Sequence, residues 1–260
     1  MKKTLLLALS LGLAPAMQAQ FVNGNFESGT TDGWTTGGGY RGGITNAALD
    51  PNSFLPGGAN YSPSIVHSAV VGAGLMAHTD GKLQQVYSGS YSFRAEDLTN
   101  GGYASVISQR VTKYMSNSIF FAWAAVLEGA HDESGAAVFK LILRNETTGV
   151  NLIDRTYSAA TSGTGVDTRF ALSTDGYYYT KDWQIESLDV SAYIGNDFSL
   201  ILLAADCSPT GHSGTVYLDG FGAVTPPPVD PTVVPEPASV ALLGGGLLML
   251  GGIARRRRRA

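Results

Sequence analysis

From Ser64 to Val224 the chain runs as short apolar or alternating stretches separated by clusters of Gly, Ser, Asn and Asp, the spacing of strands joined by turns. Ile65-Val66 with Ala69–Val71 predicts one strand. Leu83–Tyr87 and Tyr91–Phe93 predict a pair around the turn Ser88-Gly89-Ser90, and Tyr103–Val111 predicts the next. Ile119–Leu127 is apolar throughout, so it predicts a central strand covered on both faces. Ala137–Arg144 sets Val138, Lys140, Ile142 and Arg144 against Phe139, Leu141 and Leu143, a strand with one solvent face. Leu188–Tyr193, Phe198–Ala205 and Thr215–Val224 complete the series.

Upstream, Val22 and Phe26 predict a short first strand that runs into a Gly-rich loop with a buried Trp34. Thr35–Pro63 is rich in Gly, Asn and Pro without periodicity, and predicts a long surface loop. No sustained i, i+3, i+4, i+7 pattern occurs between Gln20 and Thr225, so any helices there are short. Many short strands without helices predict an all-β domain over residues 20–225: an antiparallel β-sandwich, with a jelly roll as the favoured topology.

Both ends carry different patterns. Lys2 and Lys3, the apolar Leu5–Leu13 and small residues at Ala14, Ala16 and Ala19 predict a signal peptide over residues 1–19, cut after Ala19 or after Ala16. Pro226–Val234 is a proline-rich linker, extended at about 3.1 Å per residue. Pro235-Glu236-Pro237 follows, then the 17 uncharged residues Ala238–Ala254, at the short end for a transmembrane helix, then Arg255–Arg259. Five arginines hold that end of a spanning helix in the cytoplasm.

Charge narrows the partners. Setting aside Lys2, Lys3, Arg255–Arg259 and Glu236 leaves 10 of the 17 basic and 20 of the 21 acidic residues, a charge near −10. Phosphate contacts need concentrated positive charge, so nucleic acid and anionic lipid are excluded as partners of the domain. A neutral partner fits, as does an anionic one bridged by divalent cations. Cys207 is the one cysteine and has no internal disulfide partner; it reads as a small half-buried residue rather than a nucleophile.

Candidate chemistry is sparse. There is no Gly-x-Ser-x-Gly, no His-Glu-x-x-His and no phosphate-binding loop, and no acid pair is singled out for glycoside hydrolysis. His131-Asp132-Glu133 and Asp206 with His212 combine imidazole and carboxylate, which suits a metal or a general base. Tyr40, Tyr61, Tyr177, Tyr178 and Tyr179 lie in loop-like sequence and are candidates to stack on a sugar; Trp34, Trp123 and Trp183 read as core.

Pro235, Glu236 and Pro237 with the helix and arginines after them resemble the PEP-CTERM sorting tail of Gram-negative bacteria that secrete polysaccharide. The resemblance implies an exosortase-type processing enzyme, passage through the inner membrane by the C-terminal helix, and delivery to the cell surface or extracellular matrix. Asn23-Gly-Asn-Phe-Glu27, then Gly29, Gly33 and Trp34, resembles the opening of carbohydrate-binding-module jelly rolls with a galactose-binding-like fold. It implies a structural Ca²⁺ held by Glu27 and Asp219, with Asn25 and Asn23 as oxygen donors. Trp183–Gly195, Phe198–Cys207, Gly211-His212 and Gly214–Phe221 are similar to the ending of adhesin-type jelly rolls, and Val126–Glu128, His131 and Phe139–Gly149 to their middle. That places His131 and His212 among the ligand-binding candidates; the partner that such relatives give the cysteine is absent here. The implied function is a non-catalytic carbohydrate-binding or adhesive module, with a polysaccharide hydrolase or a structural matrix protein as the alternatives.

Overall fold

The computed structural model describes residues 20–162 and 165–223. The signal peptide expected at 1–19, the linker at 226–234 and the tail at 235–260 lie outside the described residues. Twelve strands are described: β1 Thr35–Tyr40, β2 Ala69–Gly72, β3 Tyr91–Ala95, β4 Tyr103–Val111, β5 Ser118–Glu128, β6 Val138–Asn145, β7 Val150–Ser158, β8 Phe170–Leu172, β9 Tyr177–Thr180, β10 Gln184–Asp189, β11 Phe198–Ala205 and β12 Gly214–Ala223. They form two antiparallel sheets, β1-β4-β11-β6-β7 and β2-β3-β12-β5-β9-β8, with β10 continuing the β9 edge of β5. The last two strands take interior places, β11 between β4 and β6 and β12 between β3 and β5, which is the winding of a jelly roll.

Side-chain periodicity accounts for the layers. Phe121, Trp123, Ala125 and Leu127 of β5 meet Phe139, Leu141 and Leu143 of β6 and Leu200, Leu202 and Ala204 of β11 in the core between the sheets. The alternate residues Ala124 and Val126 are buried on the outside of their sheet, so β5 is covered on both faces. On β6 the solvent face is only half wet, because Lys140 and Ile142 lie beside a chain segment laid over the sheet.

That segment corrects the expected loop over Thr35–Pro63. Thr35–Tyr40 is a paired strand, and residues 41–61 fold across the outside of the five-stranded sheet, burying Leu49 and Phe54 against Val106, Ile201 and Leu203. Glycines make the approach possible: a Cβ on Gly37 would stand 2.2 Å from the Phe54 carbonyl oxygen, and one on Gly39 only 1.9 Å from that of Asn60. Backbone packing of this kind leaves no apolar period in the sequence. A second cover, including Met76 and Leu83, lies on the other sheet, so Leu83–Tyr87 is not a strand beyond one isolated bridge, Leu75 to Gln84. Val22 and Phe26 stand in a turn-rich segment, Ile65-Val66 precedes β2, and Ser191–Tyr193 is a short 3₁₀ turn after β10. β7, β8 and β9 were not expected. Among the described residues no helix is long and apolar enough to cross a membrane.

Candidate functional site at one end of the sandwich

Strand register fixes which loops meet. Tyr40 pairs with Tyr103, Ala205 with Val138, Gly214 with Leu127 and Glu128 with Tyr177. The segments 41–46, 96–102, 129–137, 173–176 and 206–213 therefore gather at one end of the two sheets.

A row of buried polar groups runs through that end. Arg41 is fully buried; its guanidinium donates to the carbonyls of Asp206 (2.8 Å) and Ile44 (2.7 Å) and to Oδ1 of Asn46 (3.0 Å). Burial lowers it to about 10, still a cation at neutral pH. The Asp206 carboxylate, also fully buried, accepts from Tyr103 N (3.0 Å) in one sheet and Gly214 N (3.4 Å) in the other. Burial pushes it up to about 7, with a smaller contribution from the charge of Glu96. Glu96 meets Nδ1 of His67 at 2.6 Å and accepts from Ser105 Oγ at 2.8 Å, and burial raises it to about 8. Both carboxyls are sealed from solvent, so they can hold protons but cannot reach a substrate.

The same end collects several sequence candidates. His131 and His212 stand with Nε2 and Nδ1 3.1 Å apart, and Cys207 lies beside them, fully buried rather than half-buried. Tyr40 is 53% exposed and turns its ring toward Tyr103. Tyr177 stacks on His78 at 3.8 Å. Its two neighbours differ: Tyr178 packs against the core between the sheets, and Tyr179 is buried in the outer cover, so Tyr179 has no face to offer a sugar. Tyr61 lies elsewhere, with Thr36 and Gly37 around a small cavity of about 80 Å³.

Glu27 and Asp219 stand at the opposite end and grip one turn between them. Glu27 Oε1 accepts from Ser90 N (2.9 Å) and Tyr91 N (3.0 Å), and Asp219 Oδ2 from Tyr87 N and Ser88 N (3.0 Å each). Burial raises Asp219 to about 7, and the charge of Glu27 adds to this. A buried carboxyl beside a second one has the donor chemistry of a hard cation, so these two residues fit calcium. The asparagines fit less well. The Asn23 side-chain amide donates to the Thr30 and Asp32 carbonyls, the Asn23 backbone carbonyl accepts from Trp34 Nε1, and Asn25 Oδ1 accepts from Glu27 N.

Two cavities open where the 41–46 segment meets the 131–136 loop. One, of about 590 Å³, is lined by Asn46, Glu133, Lys140, Thr156, Tyr157 and Asp167 among others. The other, of about 480 Å³, has His131, Asp132, Ser134 and Ser208 in its wall. Arg41, Glu96, His67 and Lys140 belong to this end of the sandwich although no sequence motif marks them. No local signal marks Glu96, because Tyr91–Ala95 already carries Ser92 and Arg94 and one more charged residue does not stand out.

Residues 233–259 match the PEP-CTERM protein-sorting motif, which marks an exported protein sorted to the cell surface and implies processing by an exosortase. No curated protein matches the sequence. Among solved structures, TmCBM61 bound to β-1,4-galactotriose is 12% identical, covering 78% of this chain and 96% of that one, with a TM-score of 0.39. The K1 cleaved adhesin domain of Lys-gingipain from Porphyromonas gingivalis W83 is 12% identical over 75% and 92%, TM-score 0.34. The enzymatically active domain of bacteriophage CBA120 tailspike protein 4 is 9% identical over 78% and 21%, TM-score 0.33. Likeness of this degree spans a sugar-binding module, an adhesin and a phage enzyme, and singles out none of their functions.

Proposed function

We propose that the described domain is a non-catalytic glycan-binding or adhesive module, carried through the inner membrane by its tail and released to the cell surface or exopolysaccharide matrix. The observation that carries the reading is the cavity of about 590 Å³, large enough for one or two sugar rings, on the half-wet face of β6 and β7. Its wall supplies an amide (Asn46), an ammonium (Lys140), a hydroxyl (Thr156) and carboxylates (Glu133, Asp167). Such groups exchange hydrogen bonds with sugar hydroxyls. The sequence resemblance to carbohydrate-binding and adhesin jelly rolls points the same way.

Calcium belongs to this proposal as a structural ion. Glu27 and Asp219 would hold it, and its charge would offset that of the buried Asp219 carboxylate and of the exposed Glu27 whose charge acts on it.

A glycan array followed by calorimetry on the full chain tests the reading. Binding without product release is the expected result, with Thr156→Ala and Asp167→Asn each weakening it by about 10-fold. Product release would replace this reading with a hydrolase, and absence of both binding and release with a structural matrix protein.

A further inference from the structure

The turn after β11 and the loop after β5 bring a thiol and two imidazoles together. Nδ1 of His212 is 3.1 Å from Nε2 of His131 and 3.4 Å from Sγ of Cys207, and the three donor atoms all lie within 4.8 Å of one another. A tetrahedral zinc centre with ordinary bond lengths sets its nitrogens about 3.3 Å apart and nitrogen from sulfur about 3.6 Å. The two separations at His212 differ from these by a few tenths of an ångström, and the third, from Sγ of Cys207 to His131, lies within 4.8 Å, so side-chain rotation of the exposed His131 is what would close the set.

The surroundings hold the donors in place. Sγ receives N–H groups from Gly211 (3.1 Å) and His212 (3.2 Å), which fix its position in the turn. The turn is closed by Cys207 N to His212 O (2.8 Å) and Thr210 N to Cys207 O (3.1 Å). The His131 carbonyl accepts from Thr161 N (3.0 Å), and Ser208 N donates to Gly135 O (2.8 Å), which ties the two loops together. His131 and Thr210 both hold left-handed backbone, at φ 62° and 75°, an arrangement that persists only where the surroundings fix it.

We infer that Cys207, His131 and His212 form a site for a divalent transition-metal ion, zinc by the chemistry of the donors, with a fourth position open to the cavity beside His131. Three protein ligands and one open position distinguish such a centre from a closed structural zinc. Two imidazoles and a thiolate also suit copper when a thioether completes the set. The two described methionines are elsewhere: Met76 in the outer cover of the larger sheet and Met115 in the turn between β4 and β5, at the other end. The site is independent of the glycan reading, since neither the ligands nor the ion need a sugar.

The full chain, reduced and stripped with a chelator, is titrated with Co²⁺ and then Zn²⁺. The expected result is one equivalent of Co²⁺ with a thiolate charge-transfer band and tetrahedral d–d absorption, both abolished by Zn²⁺. Cys207→Ser removes the charge-transfer band. His131→Gln, at a half-exposed position, keeps the native near-ultraviolet circular dichroism and weakens Zn²⁺ by at least about 10-fold. A folded, reduced chain that shows no charge-transfer band, or metal uptake that both substitutions leave unchanged, overturns the inference.

Discussion

Nδ1 of His67 lies 2.6 Å from Oε1 of Glu96, a carboxyl with no exposure to solvent on the buried side of the loop end. Asp97, Arg94 and Asp206 also act on it, and Ser105 donates to its second oxygen. A buried acid in this setting keeps its proton in the folded state at a pH where the unfolded chain has lost it.

The consequence is a stability that declines with rising pH. Glu96 (to about 8), Asp206 (to about 7) and Asp219 (to about 7) all lie above their unfolded values, so the folded state binds more protons than the unfolded one between about pH 4 and about pH 8. Their contribution is complete below about pH 4 and is lost as pH rises through those folded values. Asp80, Asp132, Asp175, Asp189 and Asp197 are held below the usual range, first by hydrogen bonds, and act oppositely only in more acid solution. Urea unfolding across this range is expected to show a loss on the order of a few kcal/mol, flattened in Glu96→Gln. A stability that rises toward pH 8 contradicts this account.

Arg41→Ala is expected to cost about 3–5 kcal/mol, because it leaves Asn46 and two carbonyls without their buried donor. Arg41→Met, which fills part of the space, is expected to cost less. Denaturant midpoints at constant slope measure both, and equal effects would mean that volume alone matters.

Phe54→Ala removes the anchor of the segment folded over the five-stranded sheet and is expected to cost about 3–5 kcal/mol if that cover unfolds with the core. Hydrogen exchange gives the second reading. The Ser62 amide, bonded to the Gly38 carbonyl at 2.9 Å, is expected to exchange at the global rate in the native chain and faster in the variant.

Gly89 has φ 80°, and a Cβ there would stand 2.4 Å from Oε1 of Glu27. Gly89→Ala is therefore expected to destabilise by at least about 1–2 kcal/mol. Calcium is expected to raise the melting temperature of the native chain but not of Glu27→Gln. An equal rise in both would place the ion elsewhere.

How much of this was legible depends on the kind of signal. Phe198–Ala205 is legible at its observed bounds and Ile119–Leu127 within one residue of them, because near-continuous burial leaves near-continuous apolar sequence. Tyr103–Val111, which mixes Ser105, Ser108, Gln109 and Arg110 with its apolar residues, is legible at its observed bounds from the turn residues before it. Thr35–Tyr40 was missed because its glycines admit backbone and leave no side-chain pattern. Val150–Ser158 shows no clean alternation because its outer face is wet and its inner face sets the half-buried Arg155 between the buried Ile153 and Tyr157. His131 and His212 were singled out separately; that they meet depends on a separation of 81 residues closed by β5 and β12 pairing.

The sequence by itself determined the sandwich and the sorting tail, since both are written in local periodicity and in an unbroken motif. It also determined that the one cysteine has no partner for an internal disulfide. Only the tertiary structure decided that this cysteine shares a corner with two histidines, His212 standing between it and His131, that Glu96 and Asp206 are sealed inside, and that the Gly-rich segment is a cover rather than a loop. Those depend on strand register and on backbone contacts between distant segments, which a linear pattern of apolar and polar residues does not encode.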